Sequence, residues 1–372
     1  MRTRLSLVVL TVVLWLPLAA AEVGEFEIPP VSPLVEGQLA RLRQLCRRDP
    51  EARALATTAR DQATPFLDDD PRPLEVIHYE GLVNTDPRRI ASVENLRDMT
   101  KAALLGRYWQ AFGDDRAAAS LRRFILAWAD TYKLTGNDVN ENKFYPLLVA
   151  YHGLRPSFPT AARRQVDGWV SDLGKLHQRA VRKSERFTNR YNKSVRLLAI
   201  CGMILDRPAW IAAAHEGIKR FVSQSLFADG TSHDLRRRDT LTYHGSALKP
   251  VLELAQLAGE DGRKLYSWTA PQTGGSLQKA VDYVVPYAMG EKTRREWTNS
   301  KVELDRRRAE AGLEYYRAGR LYDPQNALEL MERASYFDPG LMRVVRHLTK
   351  TEAKRFPTWQ TLVNAARRGH RE

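Results

Sequence analysis

The sequence predicts an all-α protein of stacked antiparallel helix pairs, either a curved helical array or an (α/α) toroid. Three observations carry this expectation. Apolar residues recur at three- and four-residue spacing through most of the 372 residues, the spacing of one helical face. Gly, Pro and Asp-Gly interrupt that rhythm at "GDD", "RPSFP", "LDRP", "ADGTS" and "GEDG", so the helices run mostly three to five turns and the loops are short. No sustained polar/apolar alternation competes, and no heptad or fixed-period repeat stands out.

The first element is not part of the fold. Residues 1–21 read as a secretory signal peptide: Arg2 and Arg4 precede an apolar run from Leu5 to Leu18, and Ala19 to Ala21 supply the small cleavage residues. The run is shorter than the roughly 20 residues a membrane span needs. No stable membrane insertion is therefore expected after cleavage, and the mature chain, 22–372, is expected as one periplasmic or secreted domain. After the Pro-rich lead-in "EIPPVSPLV" come the helical stretches "VENLRDMTKAALLGRYWQAF", "RAAASLRRFILAWADTYKL", "AARRQVDGWVSDLGKLHQRAV", "VRLLAICGMIL", "AWIAAAHEGIKRFVSQSLF" and "ALKPVLELAQLAG". No linker long enough to divide them intervenes. Of the two cysteines, Cys46 and Cys201, the second lies in an apolar helical stretch, where a small buried hydrophobe is its ordinary role. Two free thiols are expected. No CxxC, HExxH or glycine-rich phosphate loop is present, so metal and nucleotide chemistry have no sequence support.

Charge narrows the partner. Lys and Arg total 58 against 44 Asp and Glu, a net charge of +14, which favours and steers a polyanion. Export argues against nucleic acid and points to an anionic polysaccharide.

Four stretches can carry chemistry. In "RRRDTLTYHGSAL", read as one helix, Arg236, Asp239 or Thr240, Tyr243 and Ala247 share a face, while Leu241, Leu248 and Leu252 form a separate core stripe. In "FTNRYNKSVRLL", Asn189, Asn192, Lys193 and Arg196 line one face, two amides and two cations suited to a carboxylate. "LTGNDVNENKFYPLLVAY" carries Asn140, Glu141, Asn142, Lys143 and Tyr145, and "REWTNSKVELDRRRAEAG" carries Trp297, Asn299, Lys301 and Asp305. Capping and solvated charge are the competing readings of each. Glycoside hydrolysis needs paired carboxylates, which no segment offers. The recurring Asn, Arg, Lys and Tyr suit β-elimination from a uronic acid. There amides and cations neutralise the carboxylate, a base takes the C5 proton, and an acid protonates the leaving oxygen at C4. A tyrosine can do both proton transfers when neighbouring cations lower its pKa.

These four segments resemble those of the alginate lyase superfamily, polysaccharide lyase family 5 and related uronan lyases, over roughly residues 89–312. The resemblance implies an incomplete (α/α) toroid, export, no cofactor, and a uronan substrate, alginate first and polyglucuronate next. It implies that Tyr243 is the catalytic acid and also the base. The upstream arginine is Arg236, which shares the helical face of Tyr243, or Arg238, which is followed by Asp239 as in some relatives. Asn192 or Asn189 is similar to the carboxylate-neutralising asparagine. Tyr191, Asn140, Glu141, Lys143, Tyr145, Trp297, Asn299 and Lys301 are candidate substrate contacts, with His244 in support. The departure lies in "RYNKS", where Lys193 and Ser194 stand in place of the family's usual histidine. His152, His177, His233 and His244 are the residues that could reach that place. The rival reading is a non-catalytic polysaccharide-binding or scaffold protein of an export system.

Overall fold

In the computed structural model, residues 28–368 are described. The signal-peptide reading of residues 1–21 lies outside them. The chain forms helices α1 (Glu36–Arg48), α2 (Pro50–Ala63), α3 (Pro87–Phe112), α4 (Asp115–Thr131), α5 (Asp138–Glu141), α6 (Tyr145–Leu154), α7 (Thr160–Lys183), α8 (Asn189–Ile204) and α9 (Pro208–Ser225). Then follow α10 (His233–Arg238), α11 (Leu241–Leu257), α12 (Gly259–Ser267), α13 (Leu277–Asp282), α14 (Val285–Ala288), α15 (Glu303–Glu310), α16 (Leu328–Ala334), α17 (Met342–Thr349) and α18 (Trp359–Arg368). A two-residue antiparallel ribbon, β1 (Arg295–Glu296) with β2 (Arg320–Leu321), is the one sheet among the described residues.

Local chemistry sets the boundaries. Asp86 caps α3 by accepting from the Arg88 amide, Pro87 supplies the preset first turn, and Gly113 closes the helix in the left-handed region at φ 70°. Asp114 then starts α4 by accepting from the Ala117 amide at 2.8 Å. This explains how two long helices turn back on each other across two residues.

Two kinds of helix make two layers. α7 buries one stripe, Val166, Val170, Leu173, His177 and Val181, and exposes the rest, as an outer helix must. α8 and α11 are buried almost all round, because they lie between outer helices and the centre. The inner helices pack in sequence, α3 on α6, α6 on α8, α8 on α11, α11 on α16 and α16 on α18, with α1 against both α18 and α3. This is the stacked-pair (α/α) toroid. Close approach between neighbouring helices is visible at Gly174 of α7, where an added Cβ would stand 2.0 Å from the Trp210 ring of α9. Leu96, Phe124, Trp128, Leu198, Phe221 and Leu248 are fully buried between the layers, and both cysteines are buried free thiols. Among the described residues no helix is long and apolar enough to cross a membrane.

One expectation fails here. The segment from Arg236 to Leu248 is not a single helix: α10 stops at Arg238, Asp239 takes the left-handed conformation at φ 54°, and Thr240 caps α11 by accepting from the Thr242 amide. Arg236 and Tyr243 therefore share no helical face. The leucine stripe is as expected, with Leu241, Leu248 and Leu252 buried, and α11 continues through Pro250 to Leu257.

Candidate active site

A cleft of about 830 Å³ opens at the amino-terminal ends of α8 and α11, within the size range of ligand sites. Its wall holds eleven Lys and Arg side chains and four carboxylates, so a large share of the chain's excess positive charge faces one cavity. No histidine lines it. His177 is buried behind the wall, between Glu141 Oε2 at 2.8 Å and Ser194 Oγ at 3.2 Å. His244 is held by Ser232 Oγ and the Ala280 carbonyl, both at 2.8 Å, and burial lowers its pKa to about 4. His152 and His233 do not line the cleft either. None of the four reaches the place held by Lys193.

On one side stands Tyr243, in the first turn of α11. The Arg238 guanidinium lies over its ring, 3.5 Å from the centroid, and Trp297 meets the ring edge-on at 5.6 Å. Arg238 is fixed from behind by Asp305, which accepts from its Nε at 3.0 Å and from Nη2, and which also accepts from Ser300 Oγ at 2.8 Å. Burial opposes the charge on Arg238, but Tyr243 and Asp305 outweigh it and hold the guanidinium above its ordinary pKa.

The break at Asp239 makes this possible. A non-glycine residue in the left-handed region is strained, and here bonds on every side hold it. Its carboxylate accepts from Arg294 and from the Asn299 amide at 2.9 Å, and its carbonyl accepts from the Trp297 amide at 2.9 Å. Glu296 accepts from Thr240 Oγ1 at 2.8 Å and the Leu241 amide at 2.6 Å, clamping the same turn to β1. The turn redirects the chain, so Arg238 rather than Arg236 meets Tyr243.

Across the cleft, α8 presents Asn189, Lys193 and Arg196. The Asn189 amide donates to Asp234 Oδ2 at 2.8 Å, a borrowed cap for a helix start that has no side-chain cap of its own. Burial raises the Asp234 pKa to about 6. Lys193 makes no ion pair or hydrogen bond among the described residues. Burial, with Lys143, Arg196 and Arg190 adding repulsion against the pull of Asp138, lowers its pKa to about 8.

Of the residues singled out from sequence, Tyr243, Arg238, Lys193, Asn189, Tyr191, Lys143, Tyr145, Asn142 and Arg196 line the cleft. Lys143 sits over the Tyr79 ring and Arg196 over the Tyr145 ring, at 4.2 and 3.9 Å. Tyr191 contributes its edge, since its hydroxyl lies by Gly217 of α9. The others are elsewhere. Arg236 is on the surface, paired with Asp229 at 2.9 Å and resting on Phe227. Asn192 is fully buried and donates to the Ala247 carbonyl at 2.7 Å. Asn140 clamps the loop before α3 through the Ile77 carbonyl and Glu80 amide. Glu141 is spent on the Thr135 and Gly136 amides and His177. Trp297 is buried among tyrosines, and Asn299 and Lys301 act through their backbone amides, the latter on the Arg237 carbonyl. Sequence reasoning missed Lys249, Arg333, Tyr315 and Tyr316 as wall residues. Thr240 before an apolar run was the available sign of the helix break. Among the described residues no group of three His, Cys, Asp or Glu is placed to hold a metal ion.

A family model described as alginate lyase matches residues 47–294. No curated protein matches the sequence. Among solved structures, an alginate lyase from Bacteroides ovatus is similar at 15% identity and TM-score 0.62, covering 88% of this chain and 97% of that one. Alginate lyase A1-III from Sphingomonas species A1 is similar at 18% identity and TM-score 0.53, with 77% and 91% covered. A histidine-to-alanine variant of A1-III complexed with tetrasaccharide gives 18% and 0.57, with 81% and 85% covered. At these identities the likeness is one of fold.

Proposed function

This chain belongs to the alginate lyase family, and from that premise we propose that it cleaves a uronan by β-elimination with Tyr243 as acid and base. The family makes it a polysaccharide lyase. Alginate is the substrate the family suggests, and polyglucuronate is the next choice. The observation that carries the reading is the Arg238 guanidinium stacked 3.5 Å from the Tyr243 ring, facing a partnerless Lys193 in a cationic cleft without histidine.

The chemistry follows from those positions. The uronate carboxylate is neutralised by Lys193 and the side-chain amide of Asn189, with Asn192 steadying α8 from within. That withdraws electrons from C5 and makes its proton removable. Tyr243, as phenolate beside the Arg238 charge, takes the C5 proton. The electron pair forms the C4–C5 double bond as the C4–O bond breaks, and the same proton passes to the leaving oxygen. No group is consumed. Export of the enzyme rests on the pattern of residues 1–21.

The test is incubation of mature protein with alginate, polyglucuronate and hyaluronate, followed by ultraviolet absorbance of the new double bond. Tyr243→Phe should lower the rate at least about a hundredfold; full activity in that variant would refute the tyrosine's role. Binding of all three uronans with no absorbance from any would favour the scaffold reading instead.

A further inference from the structure

Three consecutive arginines end α10, and each is held differently. Arg236 is paired with Asp229 at 2.9 Å, and Arg238 is paired with Asp305. Arg237, between them, lines the cleft and makes no side-chain hydrogen bond or ion pair among the described residues. Its backbone is fixed, because its carbonyl accepts from the Lys301 amide at 2.9 Å. A half-buried, unspent guanidinium thus stands at the cleft wall on an anchored turn.

Arg186 reaches the same wall from the loop between α7 and α8. Its side chain is exposed and has no partner among the described residues. The loop beneath it is pinned on both sides of the residue. Ser184 Oγ donates to the Arg186 carbonyl at 2.9 Å, and Ser225 Oγ of α9 donates to the Phe187 carbonyl. Phe187 in turn meets the Tyr191 ring edge-on at 4.9 Å.

Shared neighbours place both arginines in one row with the reacting groups. The buried carboxylate of Asp234 lies in the field of Arg238, Lys193 and Arg237, and forms an ion pair with none of them. His233, the residue before it, lies in the field of Arg237 and Arg186. Arg237 belongs to both sets, so it links Arg186 to Lys193 and Arg238 at the Tyr243 end. The elimination occupies Lys193 and Asn189 with one carboxylate and leaves Arg186 and Arg237 without a task. In a homopolymer of uronates the adjoining ring brings a second carboxylate into the same cleft. A guanidinium keeps its charge at every working pH and presents a planar fork that matches a carboxylate. These two surrender no existing partner when they bind one.

We infer that Arg186 and Arg237 form a second carboxylate subsite, which binds the uronate next to the one being cleaved, so that the enzyme selects polymers of consecutive uronates over those in which uronates alternate with neutral sugars. The inference rests on the uronan-lyase reading above. A neutral neighbouring ring leaves both guanidiniums unmatched and gains nothing from them.

The experiment measures kcat and KM by ultraviolet absorbance on alginate and polyglucuronate, where every ring is a uronate, and on hyaluronate, where each glucuronate lies between neutral sugars. Expected is a kcat/KM at least about tenfold higher on the preferred homopolymer than on hyaluronate. A chain carrying both Arg186→Gln and Arg237→Gln should raise KM on that homopolymer about tenfold, between the weight of an exposed ion pair and that of a buried charged hydrogen bond. Any KM on hyaluronate should stay as it was. Neither guanidinium has a partner to lose, so the melting temperature should match wild type. Arg182 and Lys183 are exposed in the last turn of α7, outside the cleft wall. Arg182→Gln with Lys183→Gln removes the same two charges and should leave KM at the wild-type value. Equal kcat/KM on hyaluronate, an unchanged KM in the Arg186 and Arg237 variant, an equal rise on hyaluronate, or an equal rise from the α7 variant overturns the subsite and leaves the lyase reading standing. No absorbance on any uronan takes down the lyase reading and this inference with it.

Discussion

Lys193→Met should make the protein more stable at pH 7 while impairing the reaction. Lys193 is partly buried, has no acidic partner, and stands among Lys143, Arg190 and Arg196. Its ammonium pKa falls from an ordinary 10.5 to about 8, chiefly through burial. At about 1.4 kcal/mol per pH unit the displacement corresponds to about 3 kcal/mol against the folded state. Because the side chain borders an open cleft and keeps contact with water, roughly half of that should survive, about 1–2 kcal/mol. Methionine keeps the apolar stem in place and removes the charge. The sign is explicit. Below pH 8 both folded and unfolded chains hold the proton, so the whole penalty is present. Between pH 8 and 10.5 the folded chain releases it first, and the penalty fades. Urea denaturation of both proteins at pH 7 and near pH 10 is the assay. The variant should lead by about 1–2 kcal/mol at the lower pH, and the gap should shrink markedly at the higher. Equal or lower stability of Lys193→Met at pH 7 would refute the claim that the cleft holds this charge at a cost.

The same lysine predicts a pH profile. If its ammonium neutralises the substrate carboxylate, kcat/KM falls as pH rises through about 8, and Lys193→Arg moves that fall to higher pH; a rise through 8 would make the free amine the base instead. Arg238→Lys keeps charge but loses the fork to Asp305 and the planar face over Tyr243, and should cost about a hundredfold in kcat/KM, measured on the same absorbance signal. His177→Ala strips Glu141 and Ser194 of a buried partner and leaves a void, costing about 2–4 kcal/mol in denaturant titration. Cys46 and Cys201 are buried, and burial lifts the Cys46 thiol to about 11, so a thiol reagent should label neither in the native protein and both after unfolding.

The layers of the fold were legible because helical periodicity is a local signal and burial follows it. Val166, Val170 and Leu173 could be assigned to the core of α7 from spacing alone, and the Leu241, Leu248 and Leu252 stripe likewise. The site was legible by residue type and less so by phase. "RRRDTLTYH" has the spacing of one helix, but Asp239 is held at φ 54° by Arg294, the Asn299 amide and the Trp297 amide. Those partners lie 55 to 60 residues downstream, where no local pattern can announce them. Asn140 and Glu141 misled for the related reason that a buried clamp and a substrate contact use the same polar side chains. Distance along the chain hid the rest: Arg333 and Glu329 join the cleft from α16.

The distribution of ion pairs within the cleft carries the argument one step further. Arg190, Arg196, Lys249 and Arg333 are already paired with Asp138 or Glu80, Glu253, Glu329, and both glutamates respectively. Those pairs shape the wall and the floor, and a polyanion gains little from cations already matched. Arg186, Lys193 and Arg237 have no ion pair among the described residues, and they come from the loop before α8, from α8 itself and from the end of α10. All three elements converge at the end of the cleft where Tyr243 stands. Total charge brings a polyanion to the protein, but the unpaired cations decide where a carboxylate stays, and here they sit at the end of the cleft where the Arg238 guanidinium lies over the Tyr243 ring. A cleft built only to hold a polysaccharide would have no physical reason to concentrate its unmatched charge around Tyr243.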